Sequence, residues 1–411
     1  MLNLIRNTLL LVLCLFLALT STKVNLTNFF FSDDFYDKVG SGVTDAWLDY
    51  SSNAYIRRAL DPQRRSFLSA DFAKKSALLN PVDARSYLIS GLSMEKAGDL
   101  ASAKDMMKLS DALGPRKPTN QLEIAKFWFR HNDLDKAIVH WSVSIEELPW
   151  DFQEKSFRDI VALIDNPHFF IALTSFIEKD RPLWWPSFFI FASQQSKDIR
   201  LVSELYRVGL IKGSAGTEKD AAIKRAFTER LISERRWQDA YDVWTTALIA
   251  QDTPTFGSLF NGGFEQDEPG FGFGWVANKD HAFAVGRSRD YFQAGSQSLE
   301  IRFTGSRPKQ LSVLSQRLLL KGAAHLFSGK IKTSYLRAGD GVQWIARCDD
   351  GTIMARSQLF TGTAEWRPFE LSFNLPASGC VSQVIDLVID PGLNSPFAFA
   401  GSAWFDELRV D

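Results

Sequence analysis

A helical front portion followed by an all-β rear portion is the fold class that the sequence predicts. Three observations predict it: self-similarity at a spacing of 34 between residues 81 and 149, apolar alternation at period two in the second half, and a change of composition at Asp252-Thr253-Pro254-Thr255-Phe256-Gly257. At 411 residues the chain exceeds what one hydrophobic core organises, so at least one internal boundary is expected.

The first 22 residues read as a targeting element. Arg6 precedes the uncharged run Leu9–Leu19, and Lys23 closes it. The run is shorter than the ~20 apolar residues of a full membrane span. Its exit, Ala18-Leu19-Thr20-Ser21, lacks the small-x-small cleavage pattern, so an uncleaved anchor is expected. A cleaved signal peptide and a buried N-terminal helix are the alternatives. The implied location is an exported protein held at the inner membrane and facing the periplasm, or free in the periplasm after cleavage. Cys14 lacks the flanking small residues of a lipidation signal. Asn25-Leu26-Thr27 matches a glycosylation sequon but is read as a chance match.

The helical region is expected over residues 45–250. Gly91 matches Ala125, Gly98 matches Asn132, Asp99 matches Asp133, Leu100 matches Leu134, Ala103 matches Ala137, Met107 matches Trp141 and Pro115 matches Pro149, every pair 34 apart. Small residues at 91/125 and 103/137 let antiparallel helices approach, the large side chain at 107/141 fills the groove, and proline ends the second helix. Pro81 extends the series backward, and Arg236-Trp237-Gln238-Asp239-Ala240-Tyr241-Asp242-Val243-Trp244 repeats the second-helix pattern near three periods on. This small–small–large–Pro pattern resembles tetratricopeptide repeats, which implies a stacked helical solenoid with a surface for a protein partner. The apolar stretch from Leu183 to Ala192 is too short to span a bilayer and is expected to be a buried helix opening at Pro186, the alternative being a partner-binding patch.

The β region is expected over 257–411. Leu299, Ile301 and Phe303 alternate with Glu300 and Arg302; Phe369, Leu371, Phe373 and Leu375 alternate with polar residues; Ile385, Leu387 and Ile389 do likewise. Two sheets sharing one core follow from that period. Cys348 and Cys380 form an even pair once Cys14 is set aside. In an oxidising space they would close a loop of about thirty residues; otherwise they are two buried thiols.

Asn261-Gly262-Gly263-Phe264-Glu265, then Trp275, Gly295 with Ser298-Leu299, Trp366, and finally Trp404-Phe405-Asp406 resemble carbohydrate-binding modules with a galactose-binding-like jelly-roll fold. The resemblance implies a structural calcium between the first and last strands, on Glu265 and Asp406, with backbone carbonyls near Gly295 completing the shell. A metal-free turn is the alternative. It also implies polysaccharide binding by aromatic rings and polar neighbours, for which Trp275, Tyr335 and Trp344 with Gln343 and Arg347 are the candidates. Each of these aromatics could instead serve the core.

Several classes of chemistry are not expected. Lys plus Arg total 47 against 48 Asp plus Glu, so there is no basic excess to attract nucleic acid. His131, His140, His168, His281 and His325 are scattered, without a metal-binding pair at helical spacing. Gly270-x-Gly272-x-Gly274 sits in a Phe-rich turn rather than between strand and helix, so it is not a phosphate loop. The functional expectation is a non-enzymatic, membrane-anchored scaffold with no catalytic residues, joining a protein partner to a polysaccharide in exopolysaccharide assembly or export. A purely protein-binding scaffold and a divergent glycan-active enzyme are the alternatives.

Overall fold

In a computed structural model, residues 55–56, 59–60, 68–210, 218–248, 258–267, 269–391 and 399–411 are described. The expected targeting run, Cys14, the sequon and the 252–257 composition change lie outside them. The chain divides into two compact units, Met1–Trp185 and Pro186–Asp411. Helix gives way to strand only after residue 248, so the second unit carries helices as well as the sandwich.

Among the described residues of the first unit, the helices from residue 70 onward are α1 (Ala70–Leu79), α2 (Ala84–Lys96), α3 (Leu100–Leu113), α4 (Pro118–Arg130), α5 (Leu134–Glu147), α6 (Trp150–Leu163) and α7 (Pro167–Lys179). The spacing of 34 has a physical basis at each step. Gly98 (φ 87°) and Asn132 (φ 56°) take the left-handed conformation that turns one helix into the next, a position open to Gly and Asn. Asp99 and Asp133 then cap α3 and α5, accepting from the amides of Ser102 (3.1 Å) and Lys136 (3.3 Å). Ala103 and Ala137 are fully buried, and a Cβ at Gly91 would stand 2.8 Å from Met107 Cε, so α2 and α3 touch closely there. A further matched pair appears: the Ser110 hydroxyl donates to the Ala84 carbonyl (2.8 Å) and the Ser144 hydroxyl to the Pro118 carbonyl (2.9 Å), each tying a second helix to the start of the first.

The second unit opens with the rest of α8 (Trp185–Gln195), followed by α9 (Ile199–Leu210), α10 (Glu218–Ser233) and α11 (Trp237–Leu248). Phe188, Phe189 and Ala192 are fully buried, which makes α8 a core helix. Arg235 (φ 57°) supplies the left-handed turn between α10 and α11, ahead of the buried Ala240.

Among the described residues the strands are β1 (Trp275–Ala277), β2 (Phe283–Ser288), β3 (Ser298–Thr304), β4 (Ser312–Leu318), β5 (Ala324–Arg337), β6 (Gly341–Cys348), β7 (Ile353–Arg356), β8 (Gly362–Asn374), β9 (Gln383–Asp390) and β10 (Ala400–Val410). They form two five-stranded antiparallel sheets, β1-β4-β9-β6-β7 and β2-β3-β10-β5-β8. Leu299, Ile301, Phe303, Phe369, Leu371, Phe373, Ile385, Leu387 and Ile389 enter one shared core, as their alternation predicts. On β9 and β6, however, the alternate residues Val384, Asp386, Gln343 and Ile345 are buried too. Helices α10 and α11 stand over part of that outer face: Trp237 of α11 lies under the Arg317 guanidinium of β4 (4.7 Å), and Arg225 and Glu229 of α10 line a cavity together with Ser315, Arg347 and Val384.

Cys348, the last residue of β6, is disulfide-bonded to Cys380 just before β9, with their Cα atoms 5.3 Å apart.

Candidate functional site

The Asn261-Gly262-Gly263-Phe264-Glu265 segment is built to close the sandwich. A Cβ at Gly262 would overlap the Leu408 carbonyl, whose residue also donates its amide to the Gly262 carbonyl (2.9 Å). Phe264 is 1% exposed and packs on Trp275 with ring centres 5.5 Å apart. The Trp275 indole N–H donates to the Asn261 carbonyl (3.2 Å).

Glu265 and Asp406 reach the same loop, between β2 and β3, but meet amides there rather than carbonyls. Glu265 Oε1 accepts from the amides of Ser296 (2.8 Å) and Gln297 (3.0 Å), and Oε2 from the Ser296 hydroxyl (2.7 Å). Asp406 Oδ2 accepts from the amides of Gln293 (2.7 Å) and Ala294 (3.0 Å), and Oδ1 from the amide of Glu407 (2.7 Å). At Gly295 (φ 69°) a Cβ would overlap the Glu265 carboxylate. This donor set does not fit calcium, which requires oxygen ligands where N–H groups stand here. Among the described residues, no three His, Cys, Asp or Glu side chains converge as a metal site. Desolvation raises the Glu265 carboxyl, but the Ser296 and Gln297 bonds outweigh it and hold the group below its usual value. Burial pushes Asp406 up in spite of its amide donors.

The expected sugar-binding residues separate into three groups. Trp275 and Trp344 are 1% and 0% exposed, their ring centres 5.9 Å apart, and Trp344 also packs against Phe327 and Phe405. Both are core residues with no free ring face, which corrects their assignment as stacking platforms. Gln343 and Arg347 lie on the outer face of β6: Gln343 Nε2 is 3.4 Å from Asp390, and Arg347 pairs with Asp386 at 3.3 Å. Burial raises the Asp386 carboxyl against the lowering effect of the Ser312 hydroxyl and Arg347. They therefore do not join the tryptophans in one site.

Tyr335 is 74% exposed. Register shifts between Thr333 and Leu336 against β8, and opposite Ala400–Ser402 on β10, break the strand period at this residue. Its backbone is left-handed (φ 48°), and its amide donates to the Thr363 hydroxyl (2.9 Å). Two residues absent from the sequence-based set, Tyr291 in the β2–β3 loop and Trp404 on β10, form an aromatic pair against the sheet that contains β5. Tyr291, 46% exposed, covers Trp404 with ring centres 4.7 Å apart, and the Lys332 ammonium stands 5.3 Å from the Tyr291 ring. Trp404 lies outside the main core cluster because it alternates with the core residues Ala403 and Phe405, a signal legible in the sequence. Its indole N–H is buried without a partner among the described residues. Tyr291 sits outside the strands, where no periodicity marks it.

The class defined by this geometry is a helical-repeat region joined in one chain to an antiparallel β-sandwich. No protein-family model matches the chain, and no curated protein matches it. Among solved structures, a carbohydrate-binding module of family 4 is similar at 17% identity and TM-score 0.28, over 38% of this chain and 99% of the module. A family 61 module in complex with β-1,4-galactotriose is similar at 17% identity and TM-score 0.26, over 38% of this chain and 99% of its own. PilF of Pseudomonas aeruginosa is similar at 11% identity and TM-score 0.27, over 49% of this chain and 91% of its own. Likenesses this low establish neither family nor function.

Proposed function

We propose that the chain is a non-enzymatic tether whose helical repeats hold a protein partner and whose sandwich binds a polysaccharide. The observation that carries the sugar-binding half is Tyr335. A strained left-handed backbone and a broken strand register present its ring to solvent at 74% exposure. Exposing an aromatic ring forgoes burial, and local strain of this kind costs about 1–3 kcal/mol, so it is the arrangement a stacking platform would require. Sugar rings stack on such faces while neighbouring polar groups read their hydroxyls. Two modest binding events in one chain then raise effective concentration. The uncharged run Leu9–Leu19 supports membrane anchoring with the domains exported, and exopolysaccharide assembly or export is the process in which such a tether would serve.

The second reading, a protein-binding scaffold with a structural sandwich, is favoured by one observation: α10 and α11 already occupy part of the outer face of the β1-β4-β9-β6-β7 sheet. A glycan array probed with the full chain separates the two. Retention on a defined set of sugars supports the tether; a blank array together with a stoichiometric copurifying protein supports the scaffold.

A further inference from the structure

Between α10 and the outer face of strands β4, β9 and β6 lies a cavity of about 350 Å³. Its polar lining comprises Arg225 and Glu229 from α10, Ser315 and Arg317 from β4, and Arg347 from β6, with Phe271 as an apolar wall. Most of these charges already have partners. Arg317 donates to Asp349 (2.6 Å) and to the Ser382 hydroxyl (2.9 Å). Arg347 shares a single Asp386 oxygen between two of its nitrogens, both at 3.3 Å, while the other Asp386 oxygen takes the Ser312 hydroxyl. Glu229 accepts from the Gly272 amide (3.0 Å). Arg225 is the exception: its guanidinium stands 5.5 Å from the Phe271 ring and has no carboxylate partner among the described residues.

An unpaired guanidinium at the mouth of a cavity selects an anion, and its planar fork matches a carboxylate. Glu229 beside it disfavours a doubly charged phosphate by like-charge repulsion, yet Glu229 and Ser315 both accept hydrogen bonds from hydroxyls. A carboxylate, several hydroxyls and an apolar ring face to meet Phe271 together describe a sugar acid. We propose that this cavity binds a uronic-acid residue of an acidic polysaccharide, with Arg225 anchoring the carboxylate; this rests on the polysaccharide-binding reading. A second cavity of about 520 Å³, on the α8 side of α10, shares Arg225 and Glu229 and adds Arg230 and Ser193.

The test is affinity electrophoresis of the full chain through gels containing polygalacturonate, or dextran and β-1,4-galactan as neutral polymers. The wild type is retarded by polygalacturonate, less so as NaCl is raised. Arg225→Ala, an exposed position on α10, weakens that retention at least about tenfold with an unchanged melting temperature, whereas Lys108→Ala in the first unit has no effect. Equal retention of Arg225→Ala and wild type overturns the proposal. So does retention by a neutral polymer but not by polygalacturonate, an outcome that leaves the Tyr335 platform standing. Retention by none of the polymers overturns this proposal alone, the polysaccharide-binding reading being decided by the glycan array.

Discussion

Gly401 lies directly against Tyr335: a Cβ at position 401 would overlap the Tyr335 carbonyl oxygen and carbon. Both residues are left-handed, Gly401 at φ 86° and Tyr335 at φ 48°. The glycine on β10 therefore makes room for the irregular step of β5 that carries the exposed ring.

Gly401→Ala should consequently be costly, because it adds a side chain at a positive φ and drives it into backbone that cannot yield without moving a strand. The expected loss is about 2–4 kcal/mol, read by urea denaturation. Sugar retention should fall as well, although Tyr335 itself is intact. A variant as stable as wild type would show that the close approach does not hold the β5 step in place.

The carboxylate clip predicts a specific acid response. Glu265 has a folded-state pKa below its unfolded value, so its contribution is present above the ordinary glutamate range and is lost as pH falls through the folded value. Asp406 and Asp386 run the other way: their raised values favour the fold below the ordinary aspartate range, and that contribution is lost as pH rises through the folded pKa. Glu265→Ala should cost about 1–2 kcal/mol at neutral pH, less than three ideal hydrogen bonds because the group is exposed to water, and Glu265→Gln less still. Melting temperature measured from pH 3 to pH 7 should show a shallower acid limb in both variants. Adding EGTA or calcium should not shift the wild-type melting temperature; a shift of several degrees would mean that the loop rearranges to present oxygens to a cation.

Loss of the Cys348–Cys380 disulfide by double serine substitution should destabilise the sandwich by about 3–4 kcal/mol in the chain-entropy view, since the closed loop joins β6 to the start of β9. Denaturation with and without reductant checks this. Reductant should lower the wild-type midpoint and leave the double variant unchanged.

In the helical unit, Ser110→Ala and Ser144→Ala should each cost about 1–2 kcal/mol, because each removes a hydroxyl that ties a second helix to the carbonyl at the equivalent helix start, with Ser110 toward the upper end since it also accepts from Asn120 Nδ2 (3.4 Å). Unequal losses by more than that amount would argue against equivalent repeats.

Periodicity revealed most of the architecture because burial acts on single residues in regular elements. Gly98/Asn132 and Asp99/Asp133 could be matched since the same turn and cap recur. The candidate site was less legible. Alternation says which residues share a face, not whether something covers it, so Arg347 looked free although it faces α10 across a cavity, and Gln343 although it is buried beside Asp390. The apolar Val384 and Ile345 at alternate positions were the available hint of a sheet buried on both sides. Trp275 was misplaced because an aromatic suits a core as well as a binding face. Tyr335 was named as a candidate, but its exposure arises from a register shift that no regular period encodes.

The most direct measurement is the affinity of the full chain for whichever glycan the array identifies, titrated calorimetrically with wild type, Tyr335→Phe and Tyr335→Ala. If the exposed ring is the platform, Tyr335→Phe binds within about threefold of wild type while Tyr335→Ala loses about tenfold or more, equivalent to ~1.4 kcal/mol, with all three equally stable. Undiminished binding by a stably folded Tyr335→Ala would contradict it.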